Sequence, residues 1–114
     1  MGVYVFQSIH GPYIKIGHYS KSNAWSRIAH RGFTNILHPK DLDGKVTVHD
    51  VLLIYWDPSK TTKDEKQLHR LCQKFMVKGE WFSLEALSLV SSAFSDNKAS
   101  QCSKEEALAT RRRL

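Results

Sequence analysis

The chain has little of what would place it outside the cell, in a membrane or among multidomain proteins. Its two cysteines, Cys72 in a helical pattern and Cys102 in a polar stretch, form neither a disulfide framework nor a paired metal-ligand spacing. His69 and Cys72 could touch one metal from a helix face, but no second pair completes a zinc centre, and core packing accounts for Cys72. The longest apolar run, Val51 to Trp56, is far too short to cross a bilayer. No basic, apolar and small-residue leader opens the chain, and Phe6 breaks the myristoylation pattern after Gly2. The expectation is an intracellular protein with no membrane partner. There is no internal repeat, and 114 residues suffice for one domain whose core buries about two thirds of the surface of the unfolded chain.

What is present is an ordinary globular composition, 41% hydrophobic and 25% charged, with an excess of base. Lys and Arg number 17 against 11 Asp and Glu, a net charge of +6, which leans toward a polyanionic partner such as nucleic acid.

The stretch GVYVFQSIHGPYIKIGH, residues 2 to 18, alternates with the period of a half-buried strand on both sides of a His10-Gly11-Pro12 turn. If Tyr4 sits opposite Lys15, then Val3, Val5, Ile14 and Ile16 share one face, and Tyr4, Phe6, Tyr13 and Lys15 the other. Ser22 can cap a helix from about 23 to 31 with Trp25, Ile28 and Ala29 inward and Gly32 as its stop. Residues 33 to 45 read as a polar connection. Residues 45 to 56 read as a strand whose second half is apolar throughout, which places it inside a sheet. Asp57-Pro58 opens a helix to about Val77, with Leu68, Leu71, Cys72, Phe75 and Met76 on one face, Glu65 on its border and Gly79 as the stop. Ser83 caps a short helix carrying Leu84, Leu87 and Val90. From Ser95 the chain turns polar, and a Ser103/Glu106 capping box starts a last helix with few apolar residues to dock it. The expected architecture is α/β (α+β): a small three-stranded antiparallel sheet flanked by helices over residues 1–94, then a basic tail over 95–114.

GVY at 2 to 4, KIG at 15 to 17, Arg27 in the next helix and Glu65 in a later one resemble the GIY-YIG nuclease superfamily, over roughly residues 2 to 90. The likeness is to the branch with a Lys-Ile-Gly second motif, then Glu, Leu-His and Gly-Glu-Trp-Phe, here Glu65, Leu68-His69 and residues 79 to 82. The resemblance implies that Tyr4 activates the attacking water or serves beside it. Lys15 takes the place of the second tyrosine, as in one restriction-enzyme branch that also has a histidine three residues on, here His18. Arg27 is implied to hold the scissile phosphate and Glu65 to bind the divalent metal, Mg²⁺ or Mn²⁺. The late asparagine of many members has no clear match, since Asn97 lies in the polar stretch.

The chemistry is reasonable without the family. A phenol has a pKa near 10, and a neighbouring cation, here Lys15 beside Tyr4, can lower it by roughly 1 to 3, toward work as a general base. A guanidinium and a metal-binding carboxylate suit the charge that builds on a phosphodiester in its transition state. His18 could protonate the leaving oxygen or position water. Plainer readings stand beside these. Tyr4 and Tyr13 are common strand residues, and Lys15 on an outward face is usually solvated. Helical periodicity puts Arg27 opposite Trp25, with Arg31 as its substitute. Glu65 could merely favour a helix start, with Asp64 as the rival ligand. Glu80 and Trp81 could serve only to close the core, although Trp81 could stack on a base.

The expected function is metal-dependent hydrolysis of DNA, with Tyr4, Lys15, His18, Arg27 and Glu65 catalytic and Tyr13, Arg31 and Trp81 contacting nucleic acid. The arginines at the C-terminus would add salt-sensitive phosphate affinity, and a homodimer or partner protein would supply specificity. The alternatives are a binding module on the same fold without turnover, and an interaction domain with no affinity for nucleic acid.

Overall fold

In the computed structural model residues 1–110 are described; the arginines of the expected basic tail, 111–113, lie outside them. The architecture is α+β, built on an antiparallel sheet of five strands rather than three. The strands are β1 (Gly2–Ser8), β2 (Tyr13–Tyr19), β3 (Val51–Asp57), β4 (Met76–Lys78) and β5 (Trp81–Ser83), in the order β3-β1-β2-β5-β4. The helices are α1 (Thr62–Leu71), α2 (Leu87–Ser91) and α3 (Lys104–Thr110). No described helix is long and apolar enough to cross a membrane.

The two extra strands come from a segment whose apolar spacing reads as the end of a long helix. That helix stops at Leu71, and a two-residue turn at Gly79-Glu80 folds Met76–Lys78 onto Trp81–Ser83. Gly79 has φ +60, a conformation open to glycine, so it makes a hairpin rather than ending a helix. The start of α1 also differs from expectation. Asp57 Oδ1 accepts from Ser59 N at 2.9 Å and closes a local turn, while Thr61 and Asp64 form the capping box.

The hairpin β1–β2 keeps its faces but not its expected register. Tyr4 pairs with Gly17 and Phe6 with Lys15, a shift of two residues, which preserves every side chain's face. On one face Val3, Val5, Ile14 and Ile16 pack against Leu68 and Cys72 of the α1 region and Val90 of α2. On the other, Tyr4 and Phe6 join Trp25, Phe33, Trp56 and Trp81. Both faces are therefore buried, and Lys15 is fully enclosed rather than solvated.

Residues 23 to 31 form no α-helix. A 3₁₀ turn, Ala24–Arg27, is capped by Asn23, whose Oδ1 accepts from Trp25 N at 3.1 Å. The strand expected from residue 45 begins only at Val51, because Asp50 Oδ2 accepts from the Thr47 amide and hydroxyl and bends the chain.

Despite its apolar sequence, β3 is an outer strand. The expected placement inside the sheet fails because the chain after Ser95 takes the place of a neighbour. Asn97 accepts from Trp56 N at 3.0 Å and donates to Ile54 O at 2.9 Å, and Lys98 N donates to Trp56 O. The last helix docks too: Ala107 is buried in the core beside Trp25, and Asn23 Nδ2 donates to Ser103 O. Asn97→Ala should lower stability by about 1–2 kcal/mol, since it orphans two backbone groups of β3; urea unfolding would measure this.

Candidate active site

Five segments meet where β5 turns away from β2. Tyr4 comes from β1, Lys15 and His18 from β2, Arg27 from the 3₁₀ turn, Glu65 and His69 from α1, and Glu80 from the β4–β5 turn. Tyr4, His18, Arg27 and Glu80 line an open pocket of about 410 Å³. Lys15 Nζ donates to the Tyr4 hydroxyl at 3.2 Å and to Glu80 Oε1, at the pocket's inner wall. Glu65, itself buried, reaches His18 Nδ1 with Oε2 at 3.4 Å.

Each position has a local cause. Gly17 lies opposite Tyr4, and any Cβ there would collide with the phenol. Gly17→Ala should therefore displace Tyr4 and cost about 1–3 kcal/mol, the penalty of overpacking; thermal unfolding together with tyrosine absorbance would report both effects. Arg27 reaches the site because in a 3₁₀ turn residues i and i+3 eclipse, so it shares the inward side of Ala24. The α-helical period had turned it outward, and its guanidinium instead lies 5.9 Å from the centre of the Phe33 ring. His69 Nε2 donates to Ile16 O at 2.9 Å, bridging to β2 just past the last residue that β5 pairs with.

The electrostatics run against one expectation. Burial first, then the Glu80 carboxylate, raises the Tyr4 phenol well above its ordinary 10, outweighing the pull of Arg27. The net shift is upward although the Lys15 ammonium lies beside the phenol oxygen. Burial also lowers the Lys15 pKa below 10.5, with Glu80 opposing. At Glu80, desolvation raises the carboxyl, but Lys15 overrides it and leaves the group below the usual range. Lys15 is fully enclosed while a third of Glu80 meets solvent, so burial dominates at the amine and charge pairing at the carboxylate.

Glu65, His69 and Glu80 each offer a ligand atom within 4.8 Å of the others. Two carboxylates and an imidazole suit a divalent cation. Sequence reasoning missed two site residues: His69, weighed only as a zinc partner of Cys72, and Glu80. Glu80 stands in the Gly-Glu-Trp-Phe stretch, but its reach depends on the unforeseen hairpin turn.

The remaining candidates fall elsewhere. Asp64 is held in the capping box, where the Thr61 amide keeps its carboxyl below the usual range, and it lines a separate concavity beside Lys60. Trp81 is completely buried and offers no face to a base. The Tyr13 hydroxyl donates to the Asp41 carboxylate, at 2.9 and 2.7 Å to its two oxygens, and does not line the Tyr4 pocket. Arg31 is not in that pocket but lines an adjoining one with Arg27. Cys72 is packed in the core, outside the cluster of Glu65 and His69.

Compared with known proteins, the chain matches no family model, no curated protein and no solved structure.

Proposed function

We propose that the chain is a metal-dependent endonuclease of GIY-YIG type that hydrolyses DNA phosphodiesters. The observation carrying this reading is the convergence of residues spread over 62 positions of sequence: Tyr4, His18 and Arg27 line one open pocket, with Lys15 bonded to Tyr4 and Glu65 to His18 behind its wall. In this reading Arg27 clamps the scissile phosphate with a planar, permanently charged donor. The Tyr4 oxygen accepts from Lys15, which leaves its own O–H free to orient the attacking water. Lys15 is enclosed and cannot touch substrate, so it is a positioning residue for Tyr4 and Glu80. His18, exposed at the rim, is placed to give a proton to the leaving oxygen. Glu65 and Glu80, with His69, would hold Mg²⁺ or Mn²⁺, which when bound supplies Lewis-acid stabilisation of the phosphoryl oxygens.

One observation favours a second reading, a nucleic-acid-binding module without turnover: the raised Tyr4 phenol is a poor base. Supercoiled plasmid separates the two. The nuclease reading expects nicking by wild type in Mg²⁺ or Mn²⁺, and about a hundredfold less by Tyr4→Phe with DNA binding retained. Binding without nicking under any metal condition establishes the module instead.

A further inference from the structure

The candidate pocket is one end of a longer groove. It shares Arg27 with a concavity of about 500 Å³ that also contains His30, Arg31 and Asn35. That concavity shares Asn35 and Ile36 with a third, of about 420 Å³, walled by Lys40 and Lys78. The shared residues set the three side by side, a path along residues 26 to 43.

The charge on this path is one-sided. Beyond Arg27, the cations Arg31, Lys40 and Lys78 are all exposed, and none takes part in an ion pair among the described residues. The one carboxylate beyond the Tyr4 pocket is Asp43, which contacts His38 Nε2 at 3.2 Å. The concavity on α1, by contrast, balances Lys60 against Asp64. A groove with unpaired cations at intervals and few acids fits a repeating polyanion better than a single small anion or a mixed-charge protein surface. Its amide and imidazole side chains, Asn35 and His30, can donate to phosphate or sugar oxygens between the fixed charges.

The geometry points to a nucleic-acid backbone track that leaves the Tyr4 pocket past Arg27 and runs by Arg31 to Lys40 and Lys78, holding the strand on one side of the scissile phosphate. This rests on the nuclease reading for its orientation, but binding along the track does not require cleavage. The contacts are to phosphates, so the track sets register and affinity without choosing sequence.

The test is fluorescence anisotropy of the full chain with a labelled short duplex, in chelator so that no cleavage occurs, over a range of salt. Parallel arms use single-stranded DNA and RNA of the same sequence to identify which backbone is held. Arg31→Ala/Lys40→Ala/Lys78→Ala should bind about tenfold more weakly at physiological salt in the favoured arm. Its slope of log affinity against log salt should fall by about 2–3, from roughly 0.7–0.9 for each of the lost phosphate contacts. The charge-matched control Lys63→Ala/Lys66→Ala/Lys74→Ala, on the α1 side, should keep the wild-type slope. An unchanged slope in the track variant, an equal loss in the control, or no binding by wild type in any arm overturns the track. Failure of the nuclease reading is seen separately, as absent nicking on plasmid, and leaves these binding results interpretable.

Discussion

Glu80→Ala is expected to lower stability by about 2–3 kcal/mol, an unusual loss for a turn residue that is partly exposed. The cause lies on its partner. Lys15 is enclosed among Tyr4, Phe33 and the sheet, with its ammonium 4.7 Å from the Phe33 ring centre, and Glu80 is its anionic partner. Removing one partner of a buried pair typically costs about 3–5 kcal/mol, because the remaining charge stays desolvated. A third of Glu80 meets solvent, so water screens part of that and the expectation is reduced. The double variant Lys15→Met/Glu80→Leu should recover most of the loss, since an apolar pair in the same space has no charge to desolvate. Urea unfolding of the wild type, Lys15→Met, Glu80→Leu and the double closes the cycle, with Glu80→Ala measured beside it, and additive losses would show that the pair is not coupled. The pH dependence has a defined sign. Burial lowers the folded pKa of Lys15, so between that value and 10.5 the unfolded chain binds more protons at this position. Wild type should therefore gain stability relative to Lys15→Met as pH rises toward 10.5.

The same pair shows why part of the site was legible in the sequence and part was not. The faces of β1 and β2 follow from period-two alternation, which survives a register error of two, so Tyr4 and Lys15 could be placed together without knowing their true partners. Glu65 could be placed because α1 has a true helical period between Thr61 and Leu71. Arg27 could not be placed by periodicity, because four residues of 3₁₀ turn follow a different angle from an α-helix. Resemblance put it in the site where the helical wheel put it in solvent. Glu80 was invisible for a different reason. Leu71 and Met76 continue the apolar stripe of α1 by spacing alone, yet both are largely exposed, and the chain has already left the helix to form β4. Asn97 is likewise tertiary: nothing local says that an amide in a polar stretch will stand in for a strand at the edge of β3.

Glu65→Gln carries the largest expected effect on activity. Its carboxylate is buried on α1, meets His18 on one side, and lies with His69 and Glu80 within ligand distance of a single ion. Glutamine keeps the shape and one acceptor oxygen but removes the charge, so the fold should persist while the cation is held weakly. A Lewis acid worth several kcal/mol in the transition state corresponds to about 10³-fold in rate, and plasmid nicking should fall by at least that factor. Chelator should suppress wild-type nicking to the same floor, and Mn²⁺ titrated calorimetrically into the intact protein should bind to wild type and much more weakly to Glu65→Gln. Glu80→Gln discriminates between one carboxylate and two. If Glu80 only anchors Lys15, its glutamine variant keeps Mn²⁺ affinity and loses stability; if it shares the ion, both fall together. Asp64→Asn, at the rival carboxylate, should cost stability through the weakened cap and leave Mn²⁺ binding intact. Nicking by Glu65→Gln at the wild-type rate would detach the cluster from the chemistry, because no other described group of three metal-ligating side chains is close enough to take its place.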